Sequence, residues 1–187
     1  NWAEQFSKAG SINPCDDILD ADPELKRDFL PSALANHIYD GKIYSLPYTV
    51  DLNALVYYNE ALFKEHNLEF PETWEELLQA IEVFKANGII PIALGNKDQR
   101  LVPTGWLSCL TALIGGPDYM NDLCFGDAKY TEEPYVEALK ALRGLVDAEA
   151  FNEDFNSIDN YQMYGVYGQG KAAMFSAGSW AASTVIA

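Results

Sequence analysis

The stretch PETWEELLQAIEVFKANGIIPIALG, residues 71–95, decides the fold. Its first part predicts a helix over Trp74–Asn87, because Thr73 can cap the first turn, Glu76 completes a capping box and Gly88 ends the element. The apolar residues of this helix recur at helical spacing, which predicts that one face packs on a core. This stripe consists of Trp74, Leu77, Leu78, Ile81 and Phe84. An apolar segment follows at once, as is typical of an α/β fold.

The same alternation of helices and strands runs along the rest of the chain. Ile89–Leu94 is predicted to be a buried strand, in which Pro91 indicates an edge or a bulge. Asn53–Tyr58 is apolar at successive positions and is therefore predicted to be a strand covered on both faces. The other predicted strands are Ile43–Leu46 and Ala172–Ser176. The other predicted helices are a segment over 21–39 interrupted by Pro31, a short helix near Glu60–His66, Gly105–Ile114, and Glu132–Ala148 with Val136, Leu139, Leu142 and Val146 on one face.

Composition and charge narrow the class of protein. The 187 residues are 49% hydrophobic and 13% aromatic, which excludes a disordered chain. Lysine and arginine number 12 against 28 aspartates and glutamates, a formal net charge of −16. This charge repels nucleic-acid phosphates and anionic lipid surfaces, so no nucleic-acid partner is expected.

Several motifs of known chemistry are absent or incomplete. Neither the three cysteines nor the two histidines show metal-ligand spacing, so no metal and no cofactor are expected. The segment GVYGQGKA, residues 165–172, resembles a phosphate-binding loop, but Ala172 replaces the hydroxyl residue that would hold magnesium. The preceding residues look helical, which favours a helix that ends at Gly170. The acidic pairs Asp16–Asp17, Glu75–Glu76 and Glu132–Glu133 could be imagined as a catalytic acid and base, but two of them fall in first turns of predicted helices, where negative charge suits the helix dipole, so a structural role is favoured.

The two ends of the chain predict a piece of a longer protein. The sequence starts at Asn1 without a signal segment and ends inside an apolar stretch. The uncharged end Ala172–Ala187 contains a glycine and several hydroxyl residues, and it is shorter than the roughly 20 apolar residues of a membrane-spanning helix.

A group of aromatic and polar residues lies at the ends of predicted elements, outside the apolar stripes. A sugar presents an apolar C–H face and a rim of hydroxyls, so its site needs flat aromatic rings together with carboxylate or amide groups. The candidates are Tyr48, Asp51, Asn53, Trp106 and Trp180, with Tyr164 as a further one. An ordinary packing role is the alternative for each ring.

Three blocks of sequence carry a resemblance to a known family. They are DGKIYSLPYTVDLNALVYYNEALF (40–63), PETWEELLQAIEVFKANGIIPIALG (71–95) and GQGKAAMFSAGSWA (168–181). In this order they resemble the family 1 extracellular solute-binding proteins of ABC importers, the maltose-binding-protein-like group. The resemblance implies a type II periplasmic-binding-protein-like α/β fold of two lobes. On this interpretation, residues 1–50 are a partial first-lobe segment and residues 51–187 are a second lobe that is incomplete at its C-terminal end.

The resemblance also implies roles for individual residues. Tyr48 and Asp51 would face the cleft where the chain crosses the hinge, and Asp51 matches the acidic ligand contact after the Leu-Pro block. Trp106 matches an aromatic residue before the second-lobe helix, and Trp180 matches the stacking tryptophan. Asn53 would bind sugar hydroxyls. Trp74 also matches a family tryptophan, but its place on the capped helix predicts a structural role.

The function that follows is capture of a sugar or oligosaccharide by hinge closure, without catalysis. The implied partners are a carbohydrate ligand and the ABC permease subunits, and the implied location is the periplasm or the cell surface as a lipoprotein. A secreted glycoside hydrolase is the alternative from another class; it needs a pair of carboxyl groups about 5–9.5 Å apart. A sugar sensor with the same fold is a third possibility, since a fold does not fix a function.

Overall fold

The computed structural model of the protein describes residues 2–185. They divide into two compact units, one ending at Asp51 and the other beginning at Leu52. The sequence analysis predicted the boundary between the two lobes one residue earlier, after Val50. The assignment of the two units to lobes stays a prediction. Both helices and strands are present, which confirms the α/β class.

The first unit consists of short helices followed by a hairpin: α1 (Trp2–Lys8), α2 (Asp16–Ala21), α3 (Pro23–Asp28), α4 (Pro31–Ala35), β1 (Ile38–Tyr39) and β2 (Lys42–Ile43). Pro31 begins α4 instead of interrupting a helix, because the first helical position needs no N–H group. The strands pair antiparallel, and Asp40 and Gly41 form their turn with φ of 50° and 74°, as a two-residue hairpin turn requires. The predicted strand Ile43–Leu46 is wrong in extent, since β2 ends at Ile43.

The second unit contains a sheet whose strands follow the order β3-β5-β4. Its elements are β3 (Leu55–Tyr58), α5 (Glu60–Glu65), α6 (Trp74–Ala86), β4 (Ile90–Ala93), a π-helix (Val102–Leu107), α7 (Ser108–Phe125), α8 (Glu133–Asp147), α9 (Asn160–Gly168), β5 (Ala172–Ala177), a 3₁₀ turn (Ser179–Ala181) and α10 (Ala182–Val185). The central strand β5 runs antiparallel to β3 and parallel to β4. Two successive residues of β5, Met174 and Phe175, pack into different core clusters, because successive side chains of a strand point to opposite faces of the sheet.

Helix α6 forms as its sequence predicts. The Thr73 hydroxyl accepts a hydrogen bond from the Glu76 N–H at 3.2 Å, and the Glu76 carboxylate accepts one from the Thr73 N–H at 3.1 Å. The stripe faces the larger core cluster, where Ile81 and Phe84 are fully buried. The acidic pairs at 75–76 and 132–133 lie at the starts of helices, as expected, and the pair at 16–17 does so as well.

Strand β3 contradicts the expectation that it is covered on both faces. Leu55, Val56 and Tyr58 are 36%, 44% and 40% exposed. The strand lies at an edge of the described sheet and pairs only with β5 there. An apolar strand sequence favours burial, but which elements cover the strand depends on the rest of the chain.

The long helices differ from prediction in extent and in face. The predicted helix Gly105–Ile114 is a π-helix that continues into α7, which bends at Gly116 with φ of 81°. Helix α8 matches its predicted range, but Leu139 and Val146 are half-exposed and Leu145 is fully buried. Helix α9 ends before Gly170, whose φ of 70° confirms the helix-end interpretation of the glycine-rich segment.

Candidate functional site

A pocket in the second unit lies where the ends of the three strands meet the N-terminus of α9. Strands β4 and β5 are parallel, so their carboxyl ends lie side by side, and the antiparallel strand β3 begins at the same end of the sheet. Ligands commonly bind at the carboxyl ends of strands in open α/β sheets. The cavity has a volume of about 360 Å³ and is lined by Asn53, Gly95, Asp98, Arg100, Leu101, Thr104, Gly105, Asn160 and Trp180.

Trp180 provides an aromatic ring in this pocket and is 49% exposed. The turn that carries it is anchored from both sides. The Ser179 N–H donates to the Leu52 carbonyl at 2.8 Å, and the Tyr57 hydroxyl donates to the Gly178 carbonyl at 3.0 Å. Since β3 and β5 are paired next to this turn, the sheet fixes the backbone that carries the ring.

Tyr164 of α9 interacts with the Trp180 side chain. Tyr164 is 7% exposed and packs against Phe175 of the sheet. Burial raises the pKa of the Tyr164 hydroxyl, so this group stays neutral at physiological pH. The sequence candidate Tyr164 is thus a buried neighbour of Trp180 and is not among the lining residues of the pocket.

Asn53 lines the pocket just before β3. The preceding residue, Leu52, is held by a hydrogen bond from its N–H to the Ser179 hydroxyl at 3.3 Å. The residue after it, Ala54, has a φ of 56°, and its N–H donates to the Asn53 side-chain oxygen at 2.9 Å. The amide nitrogen of Asn53 carries two donors for a ligand oxygen.

The loop after β4 brings two opposite charges to the pocket, those of Asp98 and Arg100. Two backbone hydrogen bonds join this loop to the segment before α9. The Asn96 N–H donates to the Phe155 carbonyl, and the Lys97 N–H donates to the Ile158 carbonyl. Gly95 permits this approach, because a Cβ atom there would be 2.4 Å from the Asp159 carbonyl oxygen. The negative charge of the Asp98 carboxylate and the positive charge of the Arg100 guanidinium cancel, which suits a neutral, hydroxyl-rich ligand.

Thr104 and Asn160 complete the polar lining. Thr104 belongs to the π-helix, and its hydroxyl donates to the Arg100 carbonyl. Asn160 is the first residue of α9, whose start is fixed by a capping box between Asp159 and Gln162. The Thr104 hydroxyl, whose proton is engaged in this way, can still accept a hydrogen bond, and the Asn160 amide can both donate and accept.

The structure brings together only part of the predicted site. Asn53 and Trp180 line the same pocket. Trp106 is not among the lining residues; it packs on the larger core cluster, with its ring edge-on to Phe151 at 5.5 Å. Tyr48 and Asp51 belong to the first unit, where Tyr48 is 99% exposed.

The pocket also contains residues that the sequence analysis missed: Asp98, Arg100, Thr104 and Asn160. A signal for the first two was available, because polar residues just after a buried strand often form a site. Asn160 gave no local signal, since its position depends on how α9 packs against the sheet. Among residues 2–185, no group of three or more metal-ligating side chains is arranged around a common point. None of the helices described combines the length and apolar character needed to cross a bilayer.

Comparisons with known proteins give one consistent family. The family model described as bacterial extracellular solute-binding protein matches residues 1–186. The chain is 32% identical to the fructooligosaccharide ABC transporter substrate-binding protein of Streptococcus pneumoniae, and the match covers 89% of this chain and 36% of that protein.

Two solved structures are similar in sequence and in fold. One comes from work on xylan utilization by Caldanaerobius polysaccharolyticus; it is 30% identical, with a TM-score of 0.91 over 99% of this chain and 46% of that one. The other is a chitin oligosaccharide binding protein, 28% identical, with a TM-score of 0.88 over 98% and 45%. The chain spans less than half the length of these relatives.

These matches confirm the type II periplasmic-binding-protein-like fold predicted from the three sequence blocks. Members of the matched family bind solutes outside the cell. The family match covers nearly all of the sequence. The chain therefore belongs to the bacterial extracellular solute-binding protein family.

Proposed function

We propose that the protein is the substrate-binding component of an ABC importer and that it binds a neutral sugar or oligosaccharide. The observation that carries this proposal is the pocket in which the anchored, half-exposed ring of Trp180 stands beside polar side chains of balanced charge. An aromatic face covers the C–H face of a pyranose, and amide, hydroxyl and charged groups bind its hydroxyls. The names of similar proteins, for fructooligosaccharides and chitin oligosaccharides, support the same class of ligand.

The proposed mechanism is capture by closure of two lobes. The unit beginning at Leu52 would supply one wall of the cleft through Trp180 and Asn53. The unit ending at Asp51 would belong to the other lobe, with Tyr48 and Asp51 as its candidate ligand contacts. Trp106 would support this wall from the core, because it packs on Phe151. Closure would exclude water and expose a surface for the permease.

A binding role explains the pocket better than hydrolysis does. Retaining and inverting glycosidases both use two carboxyl groups across the scissile bond. Among the described residues that line the pocket, Asp98 is the only one with a carboxyl group. The family likewise consists of solute-binding proteins. Location outside the membrane, in the periplasm or as a surface lipoprotein, is part of the proposal.

The test is calorimetric titration of the full-length protein with a panel of neutral sugars, with chromatography of the sugar after incubation. Saturable binding of one sugar class without new products is the expected result. New products would identify a glycosidase and overturn the proposal. Binding of charged or apolar solutes with no sugar bound would place the ligand in another class.

A further inference from the structure

Three glycines in the described part of the second unit are buried: Gly95, Gly105 and Gly178. Close contacts explain two of them. A Cβ atom at Gly95 would collide with the Asp159 carbonyl oxygen, and one at Gly178 would collide with the Trp180 ring. Gly105 differs, because a Cβ atom there would meet no atom of another element within 4 Å. Packing therefore does not require glycine at position 105.

The backbone conformation of Gly105 does not require glycine either. The residue lies within the π-helix Val102–Leu107, and it is not among the glycines with positive φ. Alanine is a better helix former than glycine at an interior helical position. Gly105 thus lowers the stability of its helix without a structural gain, which directs attention to its place in the pocket.

Gly105 is one of the residues that line the proposed sugar pocket. The segment that carries it is held at both of its sides. The Val102 N–H donates to the Asn96 side-chain oxygen at 3.3 Å, and the adjacent Trp106 packs on the larger core cluster. Because Gly105 is buried and lines this cavity, the open space beside its Cα atom belongs to the cavity. π-Helical turns occur frequently at functional sites.

We infer that Gly105 determines the size of the sugar unit that the pocket accepts, and that the space beside its Cα atom holds the hydroxymethyl group of a hexopyranose. The inference rests on the proposed function and deepens it, because it assigns the bound unit as a hexose instead of a pentose. A pentopyranose has the same ring without this group. A side chain at position 105 would compete with the hydroxymethyl group for the same space, and overpacking of a filled site is unfavourable.

The test compares matched pentoses and hexoses by calorimetric titration of the full-length protein. The pairs are xylose with glucose, L-arabinose with galactose, and the β-1,4-linked di- and tetrasaccharides of xylose with those of glucose. The members of each pair differ only in hydroxymethyl groups, and the wild-type protein is expected to bind the hexose more tightly. Gly105→Ala is expected to lose about tenfold in affinity for the hexose and to keep its affinity for the pentose. Gly105→Leu, which fills more of the space, loses more of the hexose affinity.

Gly144→Ala is the matched control for the substitution itself. Gly144 is also a helical glycine at which a Cβ atom would meet no atom of another element within 4 Å, but it lies in α8 and does not line the pocket. This variant is expected to bind every sugar as the wild type does. Urea denaturation of Gly105→Ala should give a free energy of unfolding equal to or above that of the wild type, because alanine favours the helix.

Four results would each overturn the inference: a wild-type preference for the pentose, unchanged hexose affinity in both Gly105 variants, an equal loss for pentose and hexose in Gly105→Ala, or a lower free energy of unfolding in Gly105→Ala. All four leave sugar binding by the wild-type protein intact. Failure of the wild-type protein to bind any neutral sugar would overturn the proposed function and the inference together.

Discussion

The main chain at Gly178 lies directly against the indole ring of Trp180. A Cβ atom at position 178 would be 2.0 Å from Cζ3 and 2.2 Å from Cη2 of that ring. The φ of Gly178 is −85°, a value that any residue adopts, so the backbone itself does not require glycine there. Glycine is needed at this position because the ring occupies the space of a side chain.

Gly178→Ala is therefore expected to displace the indole and to weaken sugar binding by about 1–3 kcal/mol, the contribution of a buried aromatic side chain. The measurement is calorimetric titration of the full-length protein with the sugar it binds. Gly144→Ala is the control, because a Cβ built there, in the last turn of α8, would meet no atom of another element within 4 Å. Equal affinity in wild type and Gly178→Ala would contradict the stacking role of Trp180.

Two tryptophan substitutions separate the site from the core. Trp180→Ala is expected to weaken sugar binding by about 1–3 kcal/mol with the fold intact, because the ring is half-exposed. Trp106→Ala is expected to lower the free energy of unfolding by about 3–5 kcal/mol, because its ring packs on Phe151. Titration and urea denaturation measure the two quantities. The reverse pattern would return Trp106 to the site and remove Trp180 from it.

The capping box of α6 predicts a pH dependence of stability. The N–H groups of Glu72 and Thr73 donate to Glu76 and hold the pKa of its carboxyl below the ordinary value of 4.5. Since the folded pKa is the lower one, the stabilisation is fully present above pH 4.5 and is lost as pH falls through the folded pKa. The difference in free energy of unfolding between wild type and Glu76→Gln, followed by urea denaturation from pH 7 to pH 3, should shrink in that window. A constant difference would contradict the charged box.

Thr73→Ala tests the other half of the same box. Loss of the N-cap acceptor is expected to cost about 1 kcal/mol of unfolding free energy at neutral pH. Thr73→Ser keeps the hydroxyl and serves as the control, with stability close to wild type. Equal destabilisation by both variants would mean that the hydroxyl bond to Glu76 is not what stabilises the helix start.

Two phenylalanines test the core. Phe84 is fully buried and stands edge-on to Phe63 at 5.0 Å, whereas Phe125 is 90% exposed. Phe84→Ala is expected to lower the free energy of unfolding by about 3–5 kcal/mol, and Phe125→Ala to change it by less than about 0.5 kcal/mol. Urea denaturation of both variants makes the comparison. A large loss in Phe125→Ala would show that its ring is covered in the full-length protein.

The sequence by itself determined the elements whose signals are local. Helix α6 follows from Thr73 and Glu76, because a capping box needs only a hydroxyl and a carboxylate three residues apart. The end of α9 just before Gly170 follows from the ease with which glycine adopts positive φ. The three sequence blocks also predicted the family, which the match over residues 1–186 shows.

Only the tertiary structure decided which residues share a pocket. The pocket brings together residues that are far apart in sequence: Asn53, Asp98, Asn160 and Trp180. They meet because β4 and β5 are parallel and β3 is antiparallel, so that two strands end and one begins at the same end of the sheet. Local sequence could not separate Trp106 from Trp180 either. Both are tryptophans near element ends, and one is packed against Phe151 while the other lies against the main chain of Gly178 and lines the pocket. Burial is a property of the neighbours that the fold supplies, so a residue's own type and spacing do not fix it.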